Sequence, residues 1–218
     1  MRKLKAFTLA EVLITLGVIG VVAALTIPTL MQKMDERETV SKVQKIYSTL
    51  TNAIKLAEAE HGDVKTWGTD TNAEYDGKFG MDLGQEPSTF YLLDNLKIIK
   101  ECSGSNCFAD SYTDAWGNPN NPDPNYSFLL ADGTIIGVEG DVFSDFWVDL
   151  NGKKGPNKYG ADIFRFHSGG YDSYVKNKQF AYSALSCADS ASKSDQFDEY
   201  GLCEFGWILK YGNMDYLD

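Results

Sequence analysis

Hydrophobic and polar positions alternate along this chain in three successive regimes. From Val12 to Gln32 there are 21 consecutive residues without a charge, VLITLGVIGVVAALTIPTLMQ. About 20 apolar residues wound as a helix cross the hydrocarbon of a bilayer, so this stretch predicts a membrane-spanning helix. Beyond it the pattern becomes periodic: Val43, Ile46, Tyr47, Leu50, Ile54 and Ala57 share one helical face, with Lys42, Lys45, Asn52 and Lys55 on the others. That spacing predicts an amphipathic helix whose apolar stripe covers a partner layer. The periodicity stops at His61-Gly62, where glycine takes the left-handed position that ends a helix and His61 is expected at the surface. A single helix up to His61 would be about 80 Å long. Gly17 and Gly20, three apart, let helices approach closely, and Pro28, which lacks an N–H, is the expected kink.

After Gly62 the helical period gives way to short strands. Residues 63–85 are rich in Gly, Thr, Asp and Asn and predict a long loop, while 91–100 fits a short helix or a strand leading to Cys102. Asn118 to Asn125 is a Pro/Asn loop that excludes a central strand. Tyr126–Leu130 and Thr134–Val138 flank Ala131-Asp132-Gly133, a hairpin signal. Phe143–Leu150 and Asp162–Phe166 supply two more apolar, aromatic strands. The expected class is α+β: an antiparallel sheet of about four strands, one face covered by the amphipathic half of the long helix.

Composition adds compartment and partners. Hydrophobic content of 43% and aromatic content of 13% are enough to build a core. The net charge of −11 argues against a nucleic-acid partner, because phosphate binding needs a basic surface. Arg2, Lys3 and Lys5 crowd the start without an acid among them, which predicts a cytoplasmic N-terminus and the remainder outside. Four cysteines, Cys102, Cys107, Cys187 and Cys203, all follow the apolar segment, as disulfides in an oxidising compartment would. Nearest-neighbour pairing, Cys102–Cys107 and Cys187–Cys203, closes the shortest loops. Their spacing is poor for zinc, and only His61 and His167 could assist.

Candidate chemistry is sparse. No G-x-S-x-G, H-E-x-x-H or phosphate-binding glycine loop occurs, so no enzyme is expected and no cofactor is required. His167 reads as a surface histidine at a strand end. Asp149, Asn151 and Asp162, set among glycines, resemble the opening of a calcium loop; Lys153 and Lys154 oppose calcium, and an Asx turn ending a strand is the competing reading. Glu11 is the anomaly of the N-terminal segment. An ionised carboxylate within an apolar block either has a function or lies at the headgroup boundary and reaches for water.

Lys5-Ala6-Phe7-Thr8-Leu9-Ala10-Glu11-Val12-Leu13-Ile14 resembles the processing and methylation motif of type IV pilins and type II secretion pseudopilins. The elements are a basic leader, a small residue, Phe-Thr-Leu, a Glu at the fifth position and a hydrophobic helix. Ala6 stands where that family most often has Gly. Asp114-Ala115-Trp116-Gly117-Asn118-Pro119 is similar to the D-x-W-G-x-P stretch of major pseudopilins, some of which bind calcium in a loop after the sheet. The resemblance implies a pilin-like fold and a leader of residues 1–6, removed between Ala6 and Phe7 by a prepilin peptidase. N-methylation of Phe7 and a filament-core helix over 7–32 follow from it, as do an amphipathic continuation over 33–62 and an exoplasmic domain over 63–218 with a disulfide-tied C-terminal segment. In a filament, the Glu11 carboxylate of one subunit would neutralise the Phe7 amine of its neighbour. The implied partners are further copies, other pilins or pseudopilins, and an inner-membrane assembly platform. The implied location is a bacterial inner membrane and then an external filament. Two alternatives stand beside this: an anchored minor pilin that binds a surface, and a secreted domain whose signal peptide ends at Val22-Ala23-Ala24. Aromatic residues of the last 30 positions would be subunit contacts on the family view, or ordinary core.

Overall fold

The computed structural model describes residues 8–64, 67, 87–139, 145–167 and 202–217. Helix α1 (Leu9–His61) runs 53 residues and continues through Pro28. The chain divides into two compact units, Met1–Glu38 and Thr39–Asp218.

The first unit is the apolar part of α1. Leu13, Leu16, Val18, Ile19, Val21 and Leu25 are all more than half exposed, so apolar side chains face outward all around the helix. The stretch is long and apolar enough to cross a membrane, and none of its apolar window is buried. The core helix of a soluble protein hides such a face. Two threonines within it are satisfied locally: Thr15 Oγ1 donates to Val12 O and Thr26 Oγ1 to Val22 O, both at 2.9 Å.

In the second unit, α2 (Pro87–Asp94) precedes strands β1 (Ile98–Ser103), β2 (Tyr126–Leu130), β3 (Ile135–Glu139), β4 (Asp145–Asp149) and β5 (Ile163–His167). Helix α3 (Leu202–Tyr211) and a 3-10 turn at Asp215–Leu217 follow. The strands form one antiparallel sheet in the order β1-β2-β3-β4-β5. The sheet thus has five strands where about four were expected. The added one is β1, because the stretch 91–100 contains both the end of a helix and the start of a strand.

The period of two sorts side chains onto two faces. Phe128, Ile136, Val138, Phe146, Val148 and Phe164 point to one face. There they pack with Val43, Ile46, Leu50, Ala53, Ile54 and Ala57 of α1, the stripe expected from the sequence apart from Ala53. Ile135, Trp147 and Ile163 point to the other face, where Cys102, Cys107, Phe108, Tyr112 and Tyr159 cover them. The long helix therefore packs on an antiparallel sheet, and connecting loops close the second face. Lys45 Nζ joins Asp132 Oδ2 at 2.6 Å, tying α1 to the β2–β3 turn. Gly62 takes φ +84° and its N–H reaches Glu58 O, ending α1 as its position predicts. Exposed His61 stacks on Tyr91 at 3.8 Å.

In the C-terminal segment, residues 202–211 form α3, and Phe205 and Ile208 are fully buried in the α1-side core, as the ordinary-core alternative has it. The ring of Phe205 meets Tyr47 and Phe164 edge-on. The Cys102–Cys107 disulfide is formed. Cys203 is disulfide-bonded as well; Cys187, its expected partner, lies outside the described residues.

Candidate functional site

The first candidate site is the start of α1. A helix leaves its first N–H groups without intrahelical partners, and a Thr-x-x-Glu sequence can satisfy two of them reciprocally. Thr8 and Glu11 do this. Glu11 N donates to Thr8 Oγ1 at 3.3 Å, and Thr8 N donates back to Glu11 Oε2 at 2.8 Å. Thr8 Oγ1 donates to the same carboxylate oxygen at 2.9 Å. Glu11 thus has two donors within its own chain, a role the sequence reading missed although T-x-x-E signals it. Ala6 and Phe7 lie outside the described residues.

The second candidate is the loop between β4 and β5. Asp149, Asn151 and Asp162 come together there. Asp149 Oδ1 accepts from Asn151 N at 3.0 Å and Gly152 N at 2.8 Å, which is the Asx turn weighed against calcium. Its Oδ2 accepts from Tyr112 Oη at 2.6 Å, a partner 37 positions away. Asp162 accepts from Asn157 N, Lys158 N and Asn151 Nδ2. Both carboxylates are buried. Burial pushes the Asp149 carboxyl up to about 6; the Tyr112 hydrogen bond pulls it back and the Asp162 charge adds to the rise. The Tyr112 hydroxyl is also pushed up, by burial and then by Asp149.

Calcium takes six to eight oxygens. Each of these carboxylates already has three donors, out of about four acceptor positions. Asn151 Oδ1 and Asn157 Oδ1 are buried without a hydrogen-bond partner. Among the described residues no group of three or more His, Cys, Asp or Glu side chains is placed to hold a metal. As arranged, three donors from the chain reach each carboxylate, and the geometry at Asp149 is that of the Asx turn.

A third feature is the Asp114–Asn118 turn. Buried Asp114 accepts from Trp116 N, Asn118 N and Asn118 Nδ2 at 2.8 to 2.9 Å. Burial alone would raise its carboxyl, but these bonds together hold it below the ordinary range.

Comparison with curated proteins finds no match. Comparison with solved structures finds none either. One family matches, over residues 29–215, which includes the whole sheet and α3 and begins beyond Thr8 and Glu11. By that match the chain belongs to a family of unknown function, DUF6613.

Proposed function

We propose that the chain is a structural subunit of a type IV pilus-like or type II secretion pseudopilus filament. It is held in the inner membrane by α1 and processed between Ala6 and Phe7. The observation that carries this reading is an apolar helix with no buried face, opened by a Thr8–Glu11 capping box and continuous with the helix that packs on the sheet.

Apolar surface on all sides of a helix is stable in lipid or against other copies of itself, not in water. A filament meets this condition when the helix leaves the bilayer. Added Cβ atoms at Gly17 and Gly20 would meet nothing within 4 Å among the described residues, which leaves both positions open to close approach by a neighbouring helix. Glu11 takes hydrogen bonds from Thr8 N and Oγ1, which carry no charge to neutralise it. In the low dielectric of a helix bundle its charge calls for a cation, and the Phe7 amine of a neighbour supplies it. Axial register follows from that pair.

Glu11→Leu is expected to insert in the membrane at normal levels and to be lost from sheared filaments. Wild-type abundance of this variant in filaments would overturn the reading. A secreted domain beginning at Leu25 would carry Leu25, Ile27, Leu30, Met31 and Met34 into water, each more than half exposed on the helix. That exposure favours the anchored form over the signal peptide.

A further inference from the structure

The second unit begins at Thr39, and α3 packs against its opening turns. Phe205 meets the Tyr47 ring edge-on at 6.5 Å, and a Cβ at Gly212 would lie 3.8 Å from Gln44 Nε2. Gly212 ends α3 with φ +68°, its N–H donating to Ile208 O at 2.9 Å. The last turn of α3 is thus held beside Gln44, a few residues from the point where the chain enters the unit.

That turn carries two aromatic rings and a cation. Trp207 and Tyr211 lie one helical turn apart, and their ring centroids are 4.4 Å from each other. The Lys210 ammonium lies over the Tyr211 ring at 5.2 Å. Trp207 is half-buried, and its indole N–H donates to Asn213 Oδ1 at 2.8 Å. Tyr211 is 46% exposed and Lys210 is exposed as well. Rings with an apolar body and a polar edge collect at the boundary between hydrocarbon and water. An amine on a flexible stem joins them there, its carbons on apolar surface and its charge among the headgroups.

We infer that Trp207, Lys210 and Tyr211 rest on the lipid headgroup layer of the membrane that holds the apolar part of α1. Covalent continuity supplies the argument. Gln32 ends the uncharged run and Thr39 follows it by seven positions. Seven residues reach at most about 25 Å in any conformation, so the opening turns of the unit stay close to a bilayer that the run crosses. Helix α3 is fixed to those turns and shares their location. A protein partner would call for a larger fully buried apolar patch at the core of its interface. A headgroup layer calls only for amphipathic rings and a cation to meet lipid phosphates. The inference rests on α1 crossing a membrane and is independent of filament assembly.

The test uses the full chain reconstituted in vesicles of phosphatidylcholine and phosphatidylglycerol, with a nitroxide on a fraction of the choline headgroups. Flotation with the vesicles reports insertion, and quenching of tryptophan emission reports contact with the headgroups. Trp207 is one of four tryptophans, so labelled vesicles are expected to remove about a quarter of the emission seen in unlabelled ones. Trp207→Phe should abolish that loss, while Trp116→Phe, which alters an exposed side chain elsewhere, should leave it in place. A chain that floats without being quenched would overturn the inference and leave the membrane span standing. Equal quenching in Trp207→Phe, or loss of quenching in Trp116→Phe, would overturn it in the same way. A chain that does not float would overturn the span and the inference together.

Discussion

Asp149 shows how one carboxylate can be legible in a sequence by spacing and yet have its role fixed by a residue far away. Its distance from Asn151 marked a turn or a ligand; Tyr112, which takes its other oxygen, carries no local signal. Burial raises its carboxyl to about 6, above the ordinary value near 3.9. Between those values the folded chain binds a proton that the unfolded chain releases, so stability falls as pH rises through that window. The urea midpoint is therefore expected to be higher at pH 5 than at pH 7, and Asp149→Asn should flatten the difference. Asp132 contributes with the opposite sign and lower down. Burial would raise its carboxyl, but Lys45 and Thr134 hold it below the ordinary range, so its stabilisation is lost only as pH falls below about 4. Gly137 is a second residue whose constraint lies in contacts distant in sequence. A Cβ there would sit 2.9 Å from the Pro124 ring and 3.0 Å from Phe108. Gly137→Ala is expected to cost about 1–3 kcal/mol in urea unfolding, the range for an overpacked core. An unchanged midpoint would show that Pro124 moves aside freely.

At the scale of elements, legibility followed periodicity. The buried stripe of α1 and the β2–β3 hairpin were readable because their periods persist and their turn residues are distinctive. Gly133 takes φ +90° in that hairpin turn. β1 was ambiguous, since a helix and a strand lie within one ten-residue window. α3 was missed for a different reason: Cys203 to Leu209 is a short, mostly apolar run with Gly206 in its middle, and such a run does not distinguish helix from strand. Only its packing against α1 and β5 makes Phe205 and Ile208 core residues. The β4–β5 loop belongs to this scale too. Six donors from the chain satisfy its two carboxylates. A chelator is therefore expected to leave the melting temperature unchanged. A fall that added calcium reverses would show instead that Asn151 Oδ1 and Asn157 Oδ1 serve a bound ion.

For the molecule as a whole, two different demands are written into one helix. Its first stretch is apolar on every side and satisfies its own polar groups, while its second stretch has one apolar face fitted to a sheet. The division between Glu38 and Thr39 falls close to where the sequence changes from uniform to periodic. Composition and charge carried that distinction in advance, because a membrane and a soluble core ask for different patterns. The intrachain partner of Glu11 is carried instead by the T-x-x-E spacing of Thr8 and Glu11, a capping signal that composition and charge do not contain. The most direct measurement on the central claim is mass spectrometry of the N-terminus of the protein isolated from its native membrane. A chain beginning at Phe7, its amine methylated, is the predicted result. A chain beginning at Leu25, or one retaining Met1, would contradict the account.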